Sequence, residues 1–273
     1  MREQETYLIY VVGMGPGDVR QMTGEARAAL EQSDVIVGYT VYAELLKAEF
    51  PEKEYVTTPM RQEERRCRLA FDTAMTGKRT AMVCSGDAGV YGMSGLMLEI
   101  GQEYPQCRVK VIGGVTAALS GAAVLGAPLI HDFAVISLSD LLTPWEKIEK
   151  RLRCAAAADF VICIYNPASR KRADYLRRAC EAVMEETGGD RVCGVVRQIG
   201  REGEEMELMP LSGLRDYKAD MFTTVFIGNS ETQVIGGRMV TPRGYRLEET
   251  AGREISVREG SEDSAKDGNG TVL

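Results

Sequence analysis

Short, near-continuous apolar runs rich in β-branched residues recur along the chain, with helical patterns between them. Tyr7–Val12, Asp34–Val37, Thr80–Cys84 and Arg108–Ile112 read as strands of one block. Phe160–Tyr165, Val192–Val196, Met206–Met209 and Thr223–Gly228 read as strands of a second. Strands this apolar need cover on both faces, and the helical stretches between them supply it. The pattern predicts an α/β fold with two α/β domains and mostly parallel sheets. A length of 273 residues accommodates two such blocks. The expected domains are 1–123 and 124–245, with a hinge over Gly121–Asp132 that contains Gly126 and Pro128. Residues 246–273 hold seven acids, four bases and few apolar side chains, and are expected to form a disordered tail.

Helix boundaries have local signals. Thr58-Pro59 predicts a helix start, followed by an apolar face of Met60, Cys67, Ala70, Phe71 and Ala74. Thr143 and Glu146 have the spacing of a capping box ahead of Trp145, Ile148, Leu152 and Ala156. Arg172–Thr187 predicts a helix ended by Gly188-Gly189.

Charge and composition narrow the function. Lys plus Arg is 33 and Asp plus Glu is 40, a formal net charge of −7. An acidic chain is a poor general binder of nucleic acid. No apolar run approaches the 18 or so residues of a membrane span, and the N-terminal run is too short for a signal peptide. Seven cysteines without a C-x-x-C pair are expected to be reduced core residues of a cytoplasmic protein. The single histidine, His131, leaves no ligand set for a zinc or haem site.

Three loops at predicted strand ends carry the chemistry. VGMGPGD (Val12–Asp18) has the spacing Gly13-x-Gly15-x-Gly17, not G-x-G-x-x-G, and Pro16 removes an N–H that a pyrophosphate cradle would use. SGDAGVYGM (Ser85–Met93) gathers glycines, a hydroxyl and Asp87 where open α/β sheets bind ligands. Asp87 either meets a ligand there or caps the helix that follows. GGVTAA (Gly113–Ala118) opens a helix of small residues, suited to close packing or to a surface for a flat ligand.

Together these loops resemble those of the tetrapyrrole (corrin/porphyrin) methylase family, and the resemblance covers Tyr7 to Tyr245. GAPLIHDFAVISLSDLLTPW (Gly126–Trp145), YNPASRKR (Tyr165–Arg172), VVRQIGREGE (Val195–Glu204), MFTTVFIGNSET (Met221–Thr232) and RMVTPRGY (Arg238–Tyr245) resemble one branch of it. That branch methylates C-17 of the macrocycle and contracts the ring, extruding C-20 from it, on the way to cobalamin. The resemblance implies an active-site cleft between two domains, S-adenosylmethionine as methyl donor with S-adenosylhomocysteine as product, a homodimer, and a small-molecule tetrapyrrole substrate. It implies neither a nucleic-acid nor a membrane partner. Cofactor contacts carried over by position are Pro16, Ser85, Gly86, Asp87, Val90, Thr116 and Ala117, with Asn166, Thr223 and Thr224 from the second block. Ala88 and Gly114 stand where the family often has proline, which is expected to loosen their loops.

Methyl transfer from a sulfonium is mainly a matter of alignment, whereas ring contraction also moves protons. His131, Asp132 and Asp140 are the acid–base candidates, with Ser137 and Ser139 as hydrogen bonders. Hinge, turn or capping roles are the competing readings of these residues. A polycarboxylate substrate on an acidic protein needs local cations. Candidates are Arg61, Arg65, Arg66, Arg68, Arg170, Lys171, Arg172, Arg197, Arg201, Arg238 and Arg243. The rival functions are another methyltransferase of this fold, of the uroporphyrinogen-III methylase or diphthine synthase type, or a carrier that binds tetrapyrroles without turnover.

Overall fold

A computed structural model describes residues 6–169 and 173–245. Its first sheet is built from β1 (Tyr7–Gly13), β2 (Val35–Tyr39), β3 (Glu54–Thr58), β4 (Thr80–Cys84) and β5 (Cys107–Ile112), in the order β3-β2-β4-β1-β5. Every pairing is parallel. Registers such as Gly13 with Cys84 and Tyr39 with Thr58 bring all the carboxyl ends to one edge. Helices α1 (Gly24–Gln32) and α2 (Thr40–Lys47) cover one face over Leu30, Ile36 and Leu46. Helices α3 (Glu63–Ala74) and α4 (Ser94–Ile100) cover the other over Phe71, Met82 and Met97. Each of these buried side chains contributes roughly 1.5–3 kcal/mol.

The second sheet holds β7 (Phe133–Ser137), β8 (Val161–Tyr165), β9 (Val192–Arg197), β10 (Glu205–Pro210) and β11 (Thr223–Ile227), in the order β10-β9-β11-β8-β7. Here the expectation of a mostly parallel sheet is corrected. Only β7 and β8 pair parallel; β10–β9, β9–β11 and β11–β8 are antiparallel. The helix α6 (Trp145–Ala157) makes the β7–β8 crossover, while a short loop turns β9 directly into β10. Because β11 lies antiparallel between β8 and β9, the strands β7, β8 and β9 still run in one direction. One face of this sheet is covered by α6, α7 (Tyr175–Thr187) and α8 (Leu211–Leu214). A small third sheet joins β6 (Gly126–Ala127), β12 (Gln233–Ile235) and β13 (Arg238–Val240).

The helix α5 (Ala117–Leu125) covers the remaining face of the second sheet, over Cys163, Val196 and Phe226. Its small residues therefore serve close packing. An ideal Cβ on Gly121 would sit 3.0 Å from both Ile199 Cδ1 and the Phe226 ring. The expected boundary at 123/124 falls inside this helix.

Local start signals proved weaker than tertiary packing. Thr58 ends β3, and α3 begins at Glu63 after Gln62, with no side-chain cap. Pro144, not Thr143, precedes α6, again without a side-chain cap. Gly188 does end α7, at a φ of 78°. Of the cysteines, all of them free, Cys154 is exposed and Cys107 half-buried; the other five are in the core as expected. The tail 246–273 and the cations Arg170, Lys171 and Arg172 lie outside the described residues.

Replacing Gly121 with Val should overpack α5 against Ile199 and Phe226 and cost about 1–3 kcal/mol, read from the urea midpoint. An unchanged midpoint would mean that α5 can lift off the sheet without loss.

Candidate active site

At the carboxyl edge of the first sheet, the loops after β1, β4 and β5 touch one another. Gly15 and Gly86 exchange backbone hydrogen bonds, at 3.0 and 2.7 Å, with both residues at positive φ (82° and 68°). An ideal Cβ on Gly13 would lie 2.7 Å from the Gly114 nitrogen, so these backbones approach too closely for any side chain. The Asp87 carboxylate ties the loops together. Its Oδ1 accepts from the N–H groups of Gly89 and Val90 at 2.7 and 3.0 Å, and its Oδ2 from that of Gly114 at 2.9 Å. Asp87 therefore does not cap α4; it shapes the site by holding its walls, and its Oδ2, with one bond, keeps an acceptor position for a ligand. Gly114 also reverses an expectation. Its N–H, which a proline would lack, secures the third loop rather than loosening it.

The second sheet presents its own strand ends to these loops. Tyr165, at the end of β8, places its hydroxyl 2.5 Å from Thr116 Oγ1 and accepts from the Ala118 N–H at 2.6 Å. Burial pushes the Tyr165 phenol up to about 12, and its bonds to Thr116 and Ala118 pull against that rise. Tyr91, from the loop after β4, donates to the Val135 carbonyl and accepts from the Ser137 N–H, both at 3.1 Å. The Tyr91 and Tyr165 rings lie 5.7 Å apart. Asn166 donates to Ser137 Oγ at 2.9 Å. Below them, Gly17 meets the β9–β10 loop so closely that a Cβ there would be 2.5 Å from the Gly200 carbonyl oxygen. Tyr91, Asn166 and Gln198 all hold positive φ (53°, 52° and 51°). Three strained non-glycine residues at one seam mark it as a place where geometry serves something other than stability.

Most of the expected cofactor residues meet here. Pro16 and Gly86 are buried, Ser85 and Val90 half-buried, and Thr116 and Ala117 start α5 at the seam. Ser85 is hydrogen-bonded to Tyr42, whose phenol is raised chiefly by burial while Arg201 lowers it. Thr223 and Thr224 are buried where β11 begins, beside the end of β9. The Thr223 hydroxyl is committed to Asp220 Oδ1 at 2.7 Å.

The acid–base candidates are split. Asp140 follows the carboxyl end of β7 and accepts from the Tyr175 hydroxyl at 2.6 Å. His131 and Asp132 instead precede the opposite end of β7, about 15–20 Å of strand away from Ser137. There His131 Nε2 is 3.0 Å from the Pro242 carbonyl oxygen and 3.5 Å from the Glu231 carboxylate. The structure thus does not bring His131 and Asp132 to the seam. Among the arginines, Arg68 is paired with Glu64 and Glu103, and Arg197 with Asp220 and Glu205. Arg238 and Arg243 donate to the carbonyls of Val124 and Ile130. Sequence reasoning did not single out Tyr91 and Tyr165; the placement of Tyr165 at the end of an apolar strand was the available signal.

The profile of the tetrapyrrole (corrin/porphyrin) methylases matches residues 8–215. The chain belongs to this family. Tetrapyrrole methylases similar to it include a probable cobalt-factor III C(17)-methyltransferase of Salmonella typhimurium. The two are 45% identical over 241 residues, 88% of this chain and all of the relative. The precorrin-3B C(17)-methyltransferase of a Sinorhizobium species is 39% identical, over 88% of this chain and 98% of its own length. The crystal structure of the methyltransferase CobJ superposes with a TM-score of 0.79 at 35% identity, covering 87% of this chain and all of that one. For a tetrapyrrole methylase, the seam of glycine loops and tyrosines is the candidate active site.

Two outcomes test its construction. Asp87→Ala should lose about 2–3 kcal/mol of stability, because three backbone N–H groups lose a charged acceptor. Asp87→Asn should recover only part, since its amide N–H₂ would face one of those donors; full stability in the alanine variant would show that the loops hold themselves. Tyr165 gives a pH test. A phenol raised by folding stays protonated in the native state after the unfolded chain has ionised, so stability falls as pH rises from about 10 to about 12. Tyr165→Phe should show a shallower decline over that window in urea titrations, and an identical slope would remove the buried phenol from the account.

Proposed function

We propose that this chain transfers a methyl group from S-adenosylmethionine to C-17 of cobalt-factor III or precorrin-3B, with ring contraction, in cobalamin biosynthesis. The full-length similarity to C(17)-methyltransferases carries this reading. The convergence of three glycine loops on the ends of β7, β8 and β9 supports it. The family is S-adenosylmethionine-dependent. The donor set fits such a cofactor: closely approached glycine backbone, the Thr116 and Asn166 side chains, and the tyrosine rings are suited to amine, diol and aromatic groups. When bound, the cofactor supplies an already activated methyl group. The chain's own task is then alignment. The loops fixed by Asp87 form one wall, and Tyr91, Tyr165 and Asn166 the other. Pro16, Ser85, Gly86, Asp87, Val90, Thr116, Ala117, Thr223 and Thr224 complete the proposed cofactor surroundings. Proton handling during contraction falls to Asp140, whose carboxylate is paired with the Tyr175 hydroxyl.

We further place the enzyme in the cytoplasm as a homodimer, by family resemblance. Among the described residues no helix is long and apolar enough to cross a membrane.

Incubation with labelled S-adenosylmethionine and cobalt-factor III should yield a product heavier by one methyl group. Uptake of the macrocycle without label transfer would favour the carrier reading. In the same assay, Asp140→Asn should slow formation of the contracted product by about 10²-fold while leaving S-adenosylhomocysteine affinity intact. His131→Ala should leave product formation within about twofold, because His131 contacts Pro242 and Glu231 away from the seam. The reverse ranking of the two variants would return the proton role to His131.

A further inference from the structure

Among the described arginines, Arg66 stands apart. It is 5% exposed, on the first turn of α3, yet among the described residues it has no carboxylate partner. Its Nε donates to Thr58 Oγ1 at 2.8 Å and its Nη2 to the Pro59 carbonyl at 3.0 Å, both uncharged acceptors. A buried guanidinium without a counter-charge is costly, and arginine sites of this kind suit a planar, bidentate anion. The surroundings extend the observation. The guanidinium carbon of Arg66 sits 5.8 Å from the centre of the Tyr39 ring, and Tyr39 meets Tyr42 edge to face at 5.2 Å. Tyr42 in turn is hydrogen-bonded to Ser85 and lies in the field of Arg201. Arg201 packs over Phe222 at 5.1 Å and likewise has no carboxylate partner among the described residues. The row Arg66–Tyr39–Tyr42–Arg201 therefore runs along the carboxyl edge of the first sheet. It starts above β3 and β2, three and two strands or about 10–15 Å from the β1 glycine loop, and ends at the β9–β10 loop.

We propose that this row is the carboxylate-holding wall of the macrocycle site, with Arg66 as the buried anchor for one peripheral carboxylate and Arg201 as its half-buried companion. The proposal rests on the tetrapyrrole reading above. A methionine carboxylate of the cofactor has the same chemistry. The Arg66 end of the row, beyond β2 from the β1 and β5 loops, selects the macrocycle, while the Tyr42–Arg201 end reaches Ser85 and Gly17. The other cationic candidates described are paired with acids, bound to carbonyls or exposed. Among these candidates, Arg66 and Arg201 combine burial or half-burial with an uncompensated charge next to aromatic rings; Arg178, half-buried over Trp145 and Tyr175 on α7, shares that character but lies outside the row.

The test uses the full chain and two equilibrium titrations, cobalt-factor III by absorbance and S-adenosylhomocysteine by calorimetry. Arg66→Met, which keeps the packing volume, should weaken cobalt-factor III by at least about tenfold and leave S-adenosylhomocysteine within twofold. Arg66→Lys should recover part of the loss, and Arg201→Gln should weaken the macrocycle several-fold. Wild-type affinity for cobalt-factor III should also fall with added salt more steeply than that of Arg66→Met. A merely structural arginine would lower the melting temperature without separating the two ligands. Unchanged macrocycle affinity in a folded Arg66→Met variant overturns the assignment, and so does a loss confined to S-adenosylhomocysteine. If Arg66→Met does not fold, Arg66→Lys and Arg201→Gln decide by the same criteria. Failure of the wild type to bind any cobalt-factor III overturns both this proposal and the function it rests on, an outcome the variants alone cannot produce.

Discussion

One carboxylate organises the site. Asp87 accepts three backbone N–H groups, two from its own loop and one from the loop after β5. Those donors would otherwise be left without partners in a region where glycine backbones touch at distances that exclude even a Cβ. The first loop joins through the paired hydrogen bonds of Gly15 and Gly86. Three strand ends that diverge in sequence are thereby locked into one wall. A rigid wall suits a reaction whose main demand is the alignment of two reactants.

The other wall depends on how the second sheet is carried. Its parallel members, β7, β8 and β9, bring Ser137, Tyr165 and Arg197 to one edge, with the start of β11 among them. The small residues of α5 let that helix lie close on β9 and β11, directly after the GGVTAA loop. The same few residues thus end the first wall and begin the packing of the second. Tyr165 and Tyr91 close the seam by hydrogen bonds in both directions. Strain at Tyr91, Asn166 and Gln198 is confined to this region and to the isolated turns at Arg61 and Asp159.

Electrostatics divides the arginines into two kinds. Arg27, Arg68, Arg79 and Arg153 are held in surface ion pairs, which contribute little individually in high-dielectric surroundings. Arg66 is different because it is buried and its acceptors are neutral. On a chain of net charge −7, positive potential facing the seam has to come from such local, uncompensated groups rather than from the overall balance.

Much of this architecture was legible in the sequence. Apolar runs of strand length marked four of the five strands of the first sheet and four of the second; burial on both faces imposes that composition on the central strands, while the edge strands β5 and β10 alternate apolar with charged residues. The two strands of these sheets that escaped are β3, whose Glu54–Thr58 carries only mixed polar and apolar residues, and β7, whose short apolar run Phe133–Ile136 lies within a segment of loop and hinge character. Glycine spacing identified the three loops because close backbone approach admits no other residue. What the sequence could not decide was long-range. Strand direction in the second sheet depends on β11 inserting between β8 and β9. The role of Asp87 depends on an N–H that is 27 residues away. His131 reads as a candidate by chemistry alone, and only the direction of β7 shows that it sits at the far end from Tyr165. Local composition determines which segments become strands, helices and tight loops. Which charges face each other is set by sheet order, a property of the folded chain.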